Sequence, residues 1–501
     1  MMPEIILGSP GCGKTTALLE IVDGELARGV PPERIGYLTF TRRAAEEAVT
    51  RASEKFGLAR AQLPWFRTLH SLCFRLLGLR PGEVMDRRAT REFADWAGIR
   101  VTGGWSEDGL QAGFEPGDRI IFMENLARIR MVPLREQFDL NDDGLPWHEV
   151  ERVARALREF KRARGLMDYT DMLQQFLKEG LQLRLETLIG DETQDLSKLQ
   201  WEVFDRLRQG AKRCVVAGDD DQAIFQWAGA DSSHLVDMAG AVRVLGQSFR
   251  VPARVQELAN TLISPVAHRR PKQWAPRAAP GAVEHAVAFD VGLTEGPDVL
   301  VLARNAYVLN DTVASALREA GVYYHRNDQP SVDAAVLQVI SDWERLRAGG
   351  AVAVDSARAV YQAMSVGRGV ARGYKGLGAF SEESPPVTLA DLQARGGLLT
   401  NAIWHEALDR LPQQDVGYIL AMRRRGERLK AKPRVRISTI HGSKGGEAEA
   451  VVLLGDMARR THQEMEADPD PERRVWYVGV TRAREKLTLV AAGGQLGCPW
   501  V

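Results

Sequence analysis

The sequence is poor in cysteine. Cys12, Cys73, Cys214 and Cys498 are scattered along 501 residues, with no CxxC pair and no histidines at ligand spacing. A disulfide framework and a zinc site are therefore not expected, and a reducing, cytoplasmic compartment fits. Long apolar runs are missing as well. No stretch approaches the roughly 18 apolar residues of a bilayer span, and the first seven residues lack the basic and apolar regions of a leader. No membrane partner is expected. Net charge is absent too, since 66 Lys and Arg balance 66 Asp and Glu. Any grip on a polyanion must then come from local patches and not from a field over the whole molecule. No internal repeat or low-complexity tract is evident.

What is present is an ordinary globular composition, 45% hydrophobic and 26% charged, in a chain long enough for two to four domains. Short aliphatic or β-branched runs end in polar or glycine turns and lead into amphipathic stretches at Ile5–Leu7, Tyr37–Phe40, Cys214–Ala217 and Val242–Leu245. That pattern predicts α/β structure around a buried parallel sheet. It returns at Val299–Ala303, Val435–Ile440, Val451–Leu454 and Leu487–Val490, which predicts a second α/β unit. Helix-rich insertions are expected around Leu79–Leu181 and Gly349–Lys432.

Gly8-Ser9-Pro10-Gly11-Cys12-Gly13-Lys14-Thr15 matches GxxxxGK[ST], follows an apolar strand and opens a helical run at Thr16. In that context the glycines let backbone N–H groups curl round phosphates at a helix N-terminus. Lys14 reaches the β and γ oxygens, and the Thr15 hydroxyl can ligate Mg²⁺. A P-loop also needs acids at the end of another strand, and Ile189-Gly-Asp-Glu-Thr-Gln-Asp195 supplies them. Asp191 would hold Mg²⁺ through its waters, and Glu192 would orient and deprotonate the attacking water. The blander reading of the second segment is an exposed acidic loop.

With these two segments the rest of the chain resembles a superfamily 1 DNA helicase of the UvrD/Rep type, because further motifs of that family occur in the family's order. Tyr37-Leu-Thr-Phe-Thr-Arg-Arg-Ala-Ala45, Arg67-Thr-Leu-His-Ser71 and Met167-Asp-Tyr-Thr-Asp-Met172 precede the acidic segment. Gly218-Asp-Asp-Asp-Gln-Ala-Ile-Phe-Gln-Trp-Ala-Gly-Ala-Asp231 and Gln247-Ser-Phe-Arg250 follow it, then Thr439-Ile-His-Gly-Ser-Lys-Gly445 with Glu447, and Val478-Gly-Val-Thr-Arg-Ala483. The resemblance implies two RecA-like P-loop lobes with parallel sheets, each carrying a helical insertion. Lobe 1 would be residues 1–78 and 182–246 with its insertion at 79–181; lobe 2 would be 247–348 and 433–501 with a small insertion at 349–432.

It also implies roles. Arg250 and Arg482, supplied by the second lobe, would complete the site when the lobes close on ATP. Gln222 would sense the γ-phosphate, Phe249 would stack on adenine in place of the family's usual tyrosine, and Glu447 is kept in its motif. Phe40, Phe225 and Trp227 would be platforms for bases, with Thr39, Thr41, Arg42, His70 and His441 as strand contacts. Two basic runs, Arg152 to Arg164 and Arg423 to Arg436, are either phosphate tracks or solvated helix faces.

The implied activity is ATP-dependent, Mg²⁺-requiring movement along single-stranded DNA, 3′ to 5′ by family analogy, in DNA repair or replication. The expected partners are single strands and single-strand/duplex junctions. The sequence departs from the family pattern at several points, among them Gln226 and Ala228 beside Trp227, where arginines are common in the family. Only seven residues precede Gly8, where the family carries an adenine-reading glutamine; Gly445-Gly-Glu-Ala448 replaces Gly-Leu-Glu-Phe; and the second insertion is small with a short tail, Ala491–Val501. The last of these predicts weak duplex unwinding, so that a single-strand-stimulated translocase or a repair-complex subunit is the alternative. A small-molecule phosphotransferase is the rival from another class.

Overall fold

The structure, a computed structural model, describes residues 2–102, 113, 115–140, 144–381, 383–427, 432–494 and 496–500. Arg428 and Lys430 of the second basic run lie outside the described residues. Internal contacts divide the chain into two units, Met1–Ala282 with Gln463–Glu485, and Val283–His462 with Lys486–Val501.

The first unit is built on six strands: β1 (Glu4–Gly8), β2 (Ile35–Thr39), β3 (Phe66–Thr68), β4 (Leu185–Gly190), β5 (Ala211–Gly218) and β6 (Ala241–Leu245), in the order β3-β2-β4-β5-β1-β6. Every pairing is parallel. Helices cover both faces of the central strands, which is why Ile5–Leu7 and Cys214–Ala217 read as apolar runs. β6 lies at the edge with Val242 and Val244 exposed, so the run Val242–Leu245 is not buried as the sequence suggested. Ile5 and Leu7 point to one face, with Leu72, Phe176, Trp201 and Phe204. Ile6 points to the other, with Leu18, Val22, Ala48 and Ala52. The register sets Leu7 beside Gly218, Gly190 beside Val216 and Leu38 beside Gly190. The strands thus end together, and the loops that leave them share one edge of the sheet, where parallel α/β folds bind ligands.

Between β3 and β4 the chain is helical, with Arg87–Ala97, Pro116–Arg130, Leu134–Leu140, Trp147–Arg164 and Tyr169–Glu179. The Met167–Met172 signature has a structural task here. The Asp168 carboxylate accepts from Asp171 N as the N-cap of Tyr169–Glu179, and it is buried between Arg128 (2.7 Å) and Lys161 (2.5 Å). Burial opposes its charge, but the two cations outweigh that and hold the carboxyl well below the usual range. Asp168→Asn keeps the cap oxygen and loses the charge. It is expected to lower unfolding free energy by about 1.5–3 kcal/mol, the worth of hydrogen bonds to charged groups. Urea denaturation measures this, and an unchanged midpoint would contradict it.

The second unit carries β7 (Ala282–Ala286), β8 (Val299–Ala303), β9 (Tyr324–Arg326), β10 (Gln329–Pro330), β13 (Val435–Thr439), β14 (Ala448–Leu454) and β15 (Ala483–Val490), in the order β10-β9-β13-β8-β14-β15-β7. Its central strands β9, β13, β8 and β14 are parallel. Between β10 and β13 a short antiparallel pair, β11 (Ala351–Val352) and β12 (Val387–Thr388), accompanies the helices Ala334–Arg347, Val354–Gln362, Leu389–Arg395 and Gln413–Arg425. Among the described residues, no helix is long and apolar enough to cross a membrane.

The sequence boundaries assign 247–282 and 463–485 to the second lobe, whereas contacts group both segments with the first unit. The reason is local. Helix Ala253–Ile263 packs on helix Pro469–Val480, and Ser248 and Phe249 bond to the loop after β1 (Ser248 Oγ to Pro10 O, 2.7 Å; Phe249 N to Gly11 O, 2.9 Å).

Candidate nucleotide and strand site

The loop after β1 curls tightly. Cys12 N donates to Ser9 O at 3.2 Å, and Gly13, left-handed at φ 80°, caps helix Lys14–Ala27. Gly11 (φ 71°) lies against Arg250, whose Cβ would be 2.3 Å from a Cβ at position 11. Only glycine satisfies both the dihedral and the approach. Phe249, 70% exposed, holds its ring edge near Gly13. Ser9 Oγ is fully buried with no hydrogen-bond partner among the described residues. An unmet buried hydroxyl is costly, and an anion in the loop would satisfy it. Thr15 and Thr16 follow at the first turn of the helix, where backbone N–H groups lack intrahelical acceptors.

Lys14 is buried, donates to Gly8 O (3.2 Å) and stands 3.6 Å from Glu192 Oε1. Burial opposes its charge, but Glu192 and the other nearby acidic groups, including Asp219 and Asp191, outweigh it and keep the ammonium protonated. Asp191, at the end of β4, is buried and accepts from Tyr37 OH at 2.8 Å and from Glu192 N at 2.9 Å. Burial first, and the Glu192 carboxylate second, push its pKa up to about 6. Two adjacent carboxylates facing one ammonium leave negative charge that a divalent cation would relieve. Glu192 itself is a non-glycine residue at φ 54°. Its side chain accepts from Gln194 Nε2 at 2.6 Å.

From β5, Gln222 reaches Arg482, whose Nη2 donates to Gln222 Oε1 at 2.9 Å. Arg482 is buried, and its Nε donates to Val478 O at 2.9 Å. The first unit therefore gathers Lys14, Asp191, Glu192, Gln222, Arg250 and Arg482 on one edge of its sheet. Glu447 and His441 belong to the second unit, in the turn between β13 and β14. There Gly442 N donates to Thr439 Oγ1 (3.1 Å), and Arg436 donates to Glu447 O (2.8 Å).

The aromatic candidates occur as pairs. The half-buried rings of Phe40 and Phe225 stack at 5.8 Å. Trp227, 48% exposed, stacks on Phe122 at 6.3 Å. Phe122 comes from helix Pro116–Arg130, and Arg130 of that helix donates to Gln226 O at 3.1 Å. Thr41 caps helix Arg42–Phe56 by accepting from Ala44 N, while Thr39 Oγ1 donates to Thr41 O. His70 packs edge-on against Tyr169. Burial, reinforced by Arg42, pushes its pKa down to about 4, so it is neutral near pH 7 and offers a hydrogen bond instead of a charge. With Phe40, Arg42, Arg67 and Tyr169 it lines a cavity of about 540 Å³.

In the first basic run, Arg155 and Arg164 pair with surface carboxylates of Glu151 and Glu92, whereas Lys161 is buried in the Asp168 cluster. That placement makes Lys161 a structural cation. Sequence reading passed over Tyr37, Gln194 and Phe122. Tyr37 and Gln194 stand inside segments already singled out; nothing local marks Phe122.

A parallel sheet whose first strand runs through GxxxxGK[ST] into a helix, with an acidic strand end alongside, defines a P-loop protein of RecA-like architecture. The UvrD/REP helicase N-terminal domain matches residues 2–242, and the UvrD-like helicase C-terminal domain matches residues 434–490. The chain belongs to this UvrD/Rep family. It is similar to ATP-dependent DNA helicase PcrA of Staphylococcus epidermidis (28% identity, over 54% of this chain and 39% of the relative). It is also similar to PcrA of Bacillus subtilis (24%, over 66% and 46%) and to DNA helicase II of Escherichia coli (25%, over 67% and 48%). The chain thus spans less than half the length of these relatives.

Proposed function

We propose that this protein is an ATP-dependent DNA helicase or translocase that binds ATP with Mg²⁺ at the sheet edge of its first unit. Hydrolysis drives movement along single-stranded DNA, 3′ to 5′, and the physiological substrate includes a single-strand/duplex junction. The reading carries the lobe and insertion boundaries given above. The observation that supports it most is the convergence of Lys14, Glu192, Gln222 and Arg482 in one unit, beside two stacked aromatic pairs, of which Phe40, Phe225 and Trp227 stand on loops from the same sheet and Phe122 on the insertion helix.

Each group has a task. Gly8 to Thr16 wrap the phosphates in backbone N–H groups, and Lys14 places a charge on them. Phe249 offers a ring face to the base. Thr15 and Asp191 would hold Mg²⁺, which keeps most of its ligands as water and phosphate and would neutralise charge on the transferring group. Glu192 takes the proton of the attacking water, and Gln194 fixes its orientation. Arg250 and Arg482 stabilise charge on the γ-phosphoryl group. Trp227, Phe40 and Phe225 stack bases, with Thr39, Thr41, Arg42, His70 and His441 beside the strand.

The deciding experiment measures ATP hydrolysis with and without single-stranded DNA. Strong stimulation is expected; hydrolysis indifferent to DNA, with a small-molecule phosphate acceptor, would favour the phosphotransferase. Translocation on an end-labelled strand reads polarity. Trp227→Ala is expected to weaken single-strand binding by about 1–3 kcal/mol, the usual worth of one stacking platform. A fluorescence-anisotropy titration checks it, and unchanged DNA affinity with a lowered melting temperature would mean that the ring only packs on Phe122.

A further inference from the structure

The loop that carries Gln222 rests on a buried cation. The Lys272 side chain has no exposed surface; its Nζ lies 3.1 Å from Asp219 Oδ1 and 3.0 Å from Asp221 Oδ2, and it also pairs with Asp220. Arg269 forms a two-pronged pair with Asp221 at 2.7 and 2.6 Å, and Arg270 N donates to Asp220 Oδ2 at 2.8 Å. Three successive buried carboxylates would repel one another without these partners.

Asp219 is where this cluster meets the nucleotide site. Its Oδ1 faces Lys272, and its Oδ2 accepts from Gln222 Nε2 at 2.6 Å. A carboxamide has one donor end and one acceptor end. With Nε2 committed to Asp219, Oε1 is the atom turned toward the Arg482 guanidinium. Asp219 N donates to Gln194 Oε1 at 3.0 Å, and Gln194 in turn holds Glu192. Lys272 is therefore one side chain removed from Gln222.

We infer that Lys272 is a positioning residue for ATP hydrolysis: by pairing with Asp219 it fixes the sense of the Gln222 amide, and so the hydrogen bond that orients Arg482. This rests on the reading of Gln222 and Arg482 as parts of the ATP site. Without the Lys272 charge, nothing holds Asp219 Oδ1 in place, and the carboxylate turns away from Gln222. An amide released from Asp219 can flip and set its own N–H groups against those of Arg482, two donors face to face. The expected defect is in turnover, because ATP is gripped chiefly by the loop after β1, which Lys272 does not touch.

Lys272→Met keeps most of the stem and removes the charge. Its kcat for single-strand-stimulated hydrolysis is expected to fall about ten- to hundredfold, by analogy with the loss of a partner that orients a metal-ligating side chain, with KM for ATP within about threefold of wild type. Lys272→Arg, which keeps the charge, is expected to recover most of that loss. Unchanged kcat in the Met variant, or equal changes in kcat and KM in both variants, overturns the inference in favour of a purely structural staple. If the Met variant does not fold, Asp219→Asn carries the same test: a kcat-selective loss supports the inference and wild-type turnover refutes it. A wild-type protein that does not hydrolyse ATP refutes the functional reading itself, whereas an active wild type with unaffected variants refutes only the role of Lys272.

Discussion

Lys14→Ala is expected to abolish ATP hydrolysis. The ammonium is buried beside Glu192 and is held charged by the carboxylates around it. The loop amides that remain can cradle phosphate oxygens, but they are fixed dipoles and cannot follow the charge as it builds on the β–γ bridging oxygen, which leaves with ADP. A phosphate-release assay over a range of ATP concentrations separates this from weak binding. Turnover within about tenfold of wild type, a change of only one 1.4 kcal/mol step in barrier, would overturn the assignment of the site.

Glu192→Gln should behave differently. The amide preserves shape and can still accept from Gln194, so ATP binding stays nearly intact. Without a base for the attacking water, hydrolysis slows by at least about a hundredfold, the low end of what a positioned base contributes. Binding of a fluorescent ATP analogue and single-turnover hydrolysis read the two quantities separately. Loss of binding instead would mean that Glu192 is structural or a metal ligand.

The parts of the site that could be read in the sequence are those encoded within a few residues. The GxxxxGK[ST] spacing specifies the turn, its left-handed glycines and the helix that follows, because each needs only local sterics. The acids at 191 and 192 were readable because they are adjacent and follow Leu188-Ile189-Gly190, although Glu186 and Thr187 interrupt β4 and keep it from declaring itself as an apolar run. Long parallel strands such as β5 and β14 declare themselves through apolar runs. Three-residue strands such as β3 and β9 are too short to show a period.

What could not be read is pairing across long stretches of chain. Phe122 stacks on Trp227 from a helix in the insertion, and Lys272 enters the Asp219 cluster from beyond β6. Neither has a local signature, since an aromatic or a lysine in a helix-rich or irregular segment is ordinarily core or surface. The grouping of Arg250 with the loop after β1 is of the same kind. It depends on backbone bonds from Phe249 and side-chain bonds from Ser248, which follow from how the chain folds back and not from any spacing along it.

The left-handed backbone at Glu192 sets a limit on how stable this protein can become. For a residue with a Cβ that conformation costs roughly 1–2 kcal/mol relative to the right-handed region, and glycine would occupy it freely. A screen for thermal stability alone would thus favour glycine at 192 and would deliver a sturdier protein without the carboxylate proposed as the base. Engineering a heat-resistant version of this chain must hold that position fixed and look for its gains elsewhere, because the strain and the carboxylate belong to the same residue.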